Sequence, residues 1–176
     1  LKADQSFSLE LPPYSQDLSD AGKLDSDGWS FTNSFCTERY VGGIEKGRPP
    51  YEAGCSAKDT DYMHVVNWKR AAEIAKDDSK VKIINNHRVI MMETAIKEGI
   101  LFLIPEPKSP HGVDVTPDGK LIVVNGKLDT HMSVYSFEKI MDAIKNKRFE
   151  STDPYGIPVI GMKDALHTQV QLGLGP

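Results

Sequence analysis

Val115-Thr116-Pro117-Asp118-Gly119-Lys120-Leu121 joins two short apolar segments, Gly112–Val115 and Leu121–Asn125. Proline presets φ on the way into a turn and glycine accepts positive φ on the way out, so the stretch reads as the turn of a β-hairpin. A third apolar segment, His131-Met132-Ser133-Val134-Tyr135, then reaches Ser136, a residue suited to cap a helix. Phe137, Ile140, Met141 and Ile144 follow at i, i+3, i+4 and i+7 and make one apolar stripe on that helix. A strand, a hairpin, a second strand, and a third strand that meets a short helix is how a β-propeller blade is built, with helices as insertions.

The same order recurs 69 residues upstream. Asp61-Tyr62-Met63-His64-Val65-Val66-Asn67-Trp68 lies over Thr130-His131-Met132-Ser133-Val134-Tyr135-Ser136-Phe137, with Asn67 in the capping place of Ser136. Trp68, Ala71, Ala72 and Ala75 take the places of the helical stripe, and Lys76 and Lys145 end both copies. Further strands are expected at Val81–Asn85, Val89–Glu93 and Ile100–Ile104. The chain therefore reads as mainly β, a partial β-propeller of about three blades with short inserted helices. Residues 1–28, punctuated by Leu11-Pro12-Pro13 and Asp25-Ser26-Asp27-Gly28, read as a polar extended or loop segment, and residues 29–176 as the propeller part. Trp29 and Phe31 open its first strand. Residues 39–60 carry Gly42-Gly43, Gly47, Pro49-Pro50 and Gly54 and read as a long surface loop. An ordinary mixed α+β domain is the alternative that pattern alone leaves open.

The chain has 176 residues, 21 Lys+Arg against 25 Asp+Glu and a formal net charge of -4, which is enough for one domain with a modest core. With no long basic run, an electrostatic grip on nucleic acid or on an anionic membrane is not expected. No stretch approaches the ~18 consecutive apolar residues of a membrane span. Leu1-Lys2-Ala3-Asp4-Gln5 shows neither an initiating Met nor a signal-peptide core, which reads as a piece of a longer chain. Cys36 and Cys55 form no C-x-x-C pair, which excludes a zinc ribbon or thioredoxin-type site and leaves open whether they pair.

His64, His87, His111, His131 and His167 show none of the spacings of a self-contained zinc site. His111 stands apart. Pro110 stiffens its approach and Gly112 starts the next strand, so the imidazole is aimed at a fixed point, where ligands from several blades can converge on a propeller channel. Glu38 and Asp61 flank the long loop, and two carboxylates with loop carbonyls are the hard-oxygen set calcium prefers. No G-x-S-x-G elbow, P-loop or dinucleotide fingerprint is present.

Ser34-Phe35-Cys36-Thr37-Glu38, Asp61 with its strand to Asn67, Ser109-Pro110-His111-Gly112, Thr116-Pro117-Asp118-Gly119-Lys120, Gly126-Lys127-Leu128 and Leu172-Gly173-Leu174-Gly175-Pro176 occur in this order. Together they resemble nitrous-oxide reductases over residues 29–176. The resemblance implies a periplasmic, dimeric oxidoreductase of denitrification that reduces N2O to N2 and water. It implies an N-terminal seven-bladed propeller and a C-terminal cupredoxin domain absent from this chain. A tetranuclear copper-sulfide centre held by seven histidines sits in the propeller, and a dinuclear copper site in the cupredoxin takes electrons from a small donor such as a cytochrome c or another cupredoxin. His111 matches a cluster histidine. Glu38 and Asp61 match carboxylate ligands of a structural calcium, Phe35 and Cys55 stand where backbone carbonyls bind it, and Ser109 replaces an asparagine ligand. Lys127 matches a lysine after the same hairpin. His167, in Leu166-His167-Thr168, imitates another ligand motif but precedes Gly173 and is not assigned. The piece by itself is expected to be inactive. The rival readings are a calcium-stabilised propeller module for binding or scaffolding, without redox activity, and a calcium-dependent propeller lactonase.

Overall fold

The computed structural model describes residues 6–35, 61–106, 109–126 and 129–172. After β1 (Phe7–Leu9), one order of elements appears twice. The first unit runs β2 (Ser15–Ala21), β3 (Ser30–Phe35), β4 (Asp61–Val66), α1 (Trp68–Ile74), the ribbon β5 (Lys82–Ile84) and β6 (His87–Ile90), α2 (Met92–Lys97) and β7 (Leu101–Glu106). The second runs β8 (Pro110–Val115), β9 (Leu121–Gly126), β10 (His131–Ser136), α3 (Phe137–Lys145), the ribbon β11 (Ser151–Thr152) and β12 (Pro158–Val159), α4 (Met162–Ala165) and β13 (Leu166–Gln171). In each unit the first three strands and the last form an antiparallel four-stranded sheet, β2-β3-β4-β7 and β8-β9-β10-β13. The helix, ribbon and helix are an insertion between the third strand and the fourth. The mainly-β, partial propeller-like fold with inserted helices read from the sequence is consistent with this arrangement, but the described residues make two four-stranded blades and not about three, because the β5–β6 and β11–β12 ribbons are insertions and not blades of their own.

The insertions also knit neighbours together. β12 pairs in parallel with β7 at Val159↔Leu103, so the first sheet has six strands, β11-β12-β7-β4-β3-β2. β6 pairs in parallel with β1 through Phe7↔Arg88 and Leu9↔Ile90. β1 thus stands to the first ribbon as β7 stands to the second, in the place of a last strand.

The caps form as the repeat implies. Asn67 accepts from Arg70 N at 2.9 Å and Ser136 from Lys139 N at 3.4 Å, satisfying N–H groups that the helix leaves open. Met92 and Glu93, expected to continue a strand, instead begin α2, and Asn85 and Asn86 turn the β5–β6 ribbon with φ of 49° and 63°. The larger departure is β2. Ser15-Gln16-Asp17-Leu18-Ser19-Asp20-Ala21, read as connecting segment, is the first strand of the first blade. Asp20 of β2, and Lys23 just beyond it, reach the neighbouring blade: Asp20 Oδ2 accepts from Val115 N at 2.9 Å, and Lys23 Nζ donates to Val115 O at 2.9 Å. The first strands of the two blades therefore lie against each other.

Two cores follow from this layering. Phe31, Met63, Val65, Phe102 and Ile104 of the first blade pack against Val113, Val115, Ile122, Val124, Tyr135 and Ile140 of the second. On the other face of the first blade, Val66, Leu101, Leu103 and Val159 pack under α1 and α2 with Ile74, Ile90 and Ile100. β7 is covered on both faces, which is why Leu101-Phe102-Leu103-Ile104 is a continuous apolar run instead of an alternating one. Among the described residues no helix is long and apolar enough to cross a membrane.

The Pro117-Asp118-Gly119 turn closes β8 onto β9, with Gly119 N donating to Thr116 O at 2.8 Å and Thr116 Oγ1 to Asp118 Oδ1 at 2.6 Å. Gly119 has φ +74°, and a Cβ there would lie 1.7 Å from Lys23 O. A left-handed L-residue costs about 1–2 kcal/mol before any clash. Gly119→Ala is expected to destabilise by about 2 kcal/mol, a fall of ~4–8 °C in Tm. An unchanged thermal transition in circular dichroism would refute the close backbone approach.

Candidate metal sites at the start of strand β8

Ser109-Pro110-His111-Gly112 enters β8 through a bulge. Pro110 pairs with Gly126 and Val113 with Val124, so the two residues between them leave the regular register. Ser109 has φ +51° and Gly112 φ +126°. A serine in that region is strained unless its surroundings hold it, and here they do. Asp61 Oδ2 accepts from Ser109 N at 2.8 Å, and Asn33 Oδ1 accepts from Gly112 N at 3.0 Å. Both acceptor side chains are fully buried. The two ends of the bulge are pinned from below, and His111 is turned outward between them, half-exposed.

The ring itself is held by Asp17 of β2, whose Oδ2 lies 2.5 Å from His111 Nδ1. An ionised carboxylate only accepts, so Nδ1 carries the proton and Nε2 keeps its lone pair for a ligand. A carboxylate behind an imidazole is the usual support of a metal-binding histidine.

Beneath the bulge lies a buried polar cluster. Asn33, Asp61, Glu106 and Ser109 form it, while Ser34 and His64, equally shielded from solvent, lie on the opposite face of the sheet. Asp61 and Glu106 face each other across β4 and β7. Asn33 Nδ2 donates to Glu106 Oε1 at 2.6 Å. Burial, helped by the charges of Asp61 and Asp17, holds the Glu106 carboxyl well above the ordinary carboxylate range against the opposing hydrogen bond from Asn33. Glu106 Oε2, Ser109 Oγ and His64 Nδ1 have no hydrogen-bond partner among the described residues. Burial also lowers the His64 imidazole to about 4.

The structure brings Asp61 and Ser109 of the expected calcium set into direct contact, and Phe35 ends the neighbouring β3. Glu38 and Cys55 lie outside the described residues, as do Lys127 and the segment 173–176. Among the described residues, no three His, Cys, Asp or Glu side chains gather at one point. His131 is held by Asp129 and Thr130 at its own strand start. His167 lines a groove of about 620 Å³ with Asp25, Phe137 and Met141 that contains none of the expected ligands. Sequence reading missed Asp17, Asn33 and Glu106. Asp17 lay in a segment read as loop, whereas Glu106, the first charge after an apolar strand, was a signal that could have been taken up.

No family model matches the chain. The nitrous-oxide reductase of Pseudomonas fluorescens is 26% identical over 163 residues, 88% of this chain and 22% of that protein. Its counterpart in Stutzerimonas stutzeri is 33% identical over 73 residues, 42% of this chain and 10% of that protein. Hydrazine synthase of Kuenenia stuttgartiensis covers 92% of this chain and 38% of its own at a TM-score of 0.46 and 12% identity, too loose a likeness to inform function. The chain spans about a fifth or less of the length of the curated relatives it matches. In sequence it is similar to one stretch of several nitrous-oxide reductases, each a much longer protein.

Proposed function

We propose that the chain is part of a copper-dependent nitrous-oxide reductase, inactive by itself, in which His111 gives one imidazole to the tetranuclear copper-sulfide centre. The observation that carries this reading is the presentation of His111: in the bulge at the start of β8, pinned on both sides, half-exposed, and held at Nδ1 by Asp17 so that Nε2 is left for a ligand. Imidazole suits copper, and a neutral ring with its second nitrogen held fits the role of one ligand among several. When bound, the centre supplies the electrons for a two-electron, two-proton reduction of N2O to N2 and water. This chain's own contribution is positional: Asp17 fixes tautomer and ring plane, while Asp61 and Asn33 fix the backbone on either side.

Calcium is the second metal of the reading. Asp61 and Ser109, with Glu38 and the backbone carbonyls of Phe35 and Cys55, would hold it, and its chemistry is structural. The orphaned Ser109 hydroxyl beside Asp61 supports that fit. The resemblance further carries a periplasmic homodimer and a small electron-donor protein such as a cytochrome c or a cupredoxin.

The test is His111→Ala in the full-length protein, read by copper content and by the visible absorption of the cluster. Cluster absorption is expected to disappear, with the secondary structure intact by circular dichroism. Unchanged copper content and spectrum would remove His111 from the ligand set. A full-length protein that takes up calcium but no copper would favour the non-redox binding module.

A further inference from the structure

We propose that the outer side of the second blade is a docking surface for a third unit of the same build, whose ribbon pairs in parallel with β13 at Gln169, an inference that rests on reading the chain as part of a longer protein. Three strands stand in the place of a last strand, β1, β7 and β13, and two ribbons serve them. The β5–β6 ribbon holds β1 and the β11–β12 ribbon holds β7, each by parallel pairing. The two seats are equivalent. Val89 and Val159 each stand two residues before a helix cap, Met91 and Gly161, and they pair with Ser8 and Leu103. Leu103 is also the cross-strand partner of His64, and Gln169 is that of Ser133, which overlies His64 in the 69-residue repeat. Gln169 is therefore the third seat, and among the described residues β13 is an open edge.

Backbone and side chains both fit a ribbon there. Leu172 N donates to Thr130 O at 2.8 Å, toward β10, so by alternation the main-chain groups of Gln171 and Gln169 point away from the sheet. Leu103 O, in the corresponding place, accepts from Ile160 N at 2.8 Å. A row of open donors and acceptors is a template for another strand. The adjoining face repeats the pattern. Phe31, Met63 and Ile104 of the first blade are fully buried because the second blade lies on them. Their counterparts Val123, Met132 and Val170 share one face of the second sheet and are all partly exposed, Val170 by 40%. Trp29, just before β3, meets Phe137, the first residue of the next unit's helix, edge-on at 6.1 Å. Leu121 holds the place of Trp29 in the second unit, and beside it lies the groove of about 620 Å³ with Met141 and His167. The first helical residue of a third unit fills that groove. A second copy of the chain does not suit the edge, since both of its ribbons are already paired.

The experiment compares this chain with the full-length protein by amide hydrogen exchange and thermal melts. Exchange at Gln169 and Gln171 is expected to be fast in the chain and slowed about a hundredfold or more in the full-length protein. Gln169→Pro removes one outward N–H, which an open edge tolerates and a paired one does not; Val170→Lys sets a charge on the adjoining face. Both changes are expected to leave the melting of the chain nearly unaltered and to lower that of the full-length protein by several degrees. Equal exchange in the two forms, or equal melting losses, would overturn the proposal. So would a chain that sediments as a dimer and becomes monomeric with Gln169→Pro, which makes a second copy the occupant. Copper content of the same full-length sample separates the two readings. Protected β13 amides without copper support the docking surface and overturn the copper reading alone, and copper with unprotected β13 amides does the reverse.

Discussion

Lowering the pH from about 6.5 to about 4 is expected to remove about 3 kcal/mol of stability through His64 alone. Its ring is fully buried, with Nδ1 unpartnered and Nε2 3.4 Å from Gln16 Nε2. Burial disfavours the imidazolium and pushes the group from 6.5 down to about 4. The unfolded chain therefore binds a proton at this position as the pH falls below about 6.5, while the folded chain does not until about pH 4. His64's contribution is complete above the unfolded value, shrinks by about 1.4 kcal/mol per pH unit within the window, and is exhausted below it. Glu106 works the other way, since a raised carboxyl favours the folded state as the pH drops. Comparison with His64→Gln isolates the histidine. Urea unfolding at pH 7 and pH 4.5 is expected to show a wild-type loss exceeding that of the variant by about 2–3 kcal/mol, and parallel losses would rule out a neutral buried ring.

Asp153→Ala is expected to be more damaging at every pH near neutral, by about 4 kcal/mol. Asp153 is 94% hidden, and its two oxygens serve three donors. Oδ2 accepts from Tyr14 Oη at 2.7 Å; Oδ1 accepts from Ile157 N at 2.7 Å and Tyr155 N at 3.0 Å. Hydrogen bonds to a charged acceptor contribute roughly 1.5–3 kcal/mol each, and a buried N–H left without a partner adds its own desolvation penalty. Tyr14 also packs edge-on against Tyr155 and at a tilt against the Tyr62 ring, so its release loosens the turn between β11 and β12. A chain of this size loses about 2–4 °C of Tm per kcal/mol, which places the variant about 8–16 °C below wild type. A fall under about 3 °C would mean that water replaces the carboxylate at little cost.

What could be read from the sequence was what local chemistry dictates. The Pro117–Gly119 turn needs only proline's φ and glycine's freedom, and the caps at Asn67 and Ser136 need only a short polar side chain before an apolar stripe. Both formed, and with them the repeat that defines the blades. The rest depended on partners far along the chain. β2 is polar because it faces β8 of the next blade, and no window around Asp17 or Asp20 contains that fact. Glu106 is buried because Asp61 and Asn33 stand beside it in the sheet, 45 and 73 positions away in sequence. His111 was legible as a rigidly presented imidazole, yet the carboxylate that sets its tautomer was 94 positions away. Resemblance reached Asp61 and Ser109 but did not extend to Asn33, Asp17 or Glu106, which entered only with the fold.

The parallel pairing of β12 with β7 puts covalent order and energetic order out of phase. By chain, the β11–β12 ribbon belongs to the second blade; by hydrogen bonds, it is the rim of the first. A cut between the blades would strip Val159 from Leu103 and unroof the core that Ile157 and Val159 share with Leu101. In repeat proteins, stability is a sum of unit terms and nearest-neighbour couplings. Here the coupling carries a shared sheet as well as an apolar contact, so the blades melt as a dovetailed pair, and the interchangeable part of the chain is the joint between them.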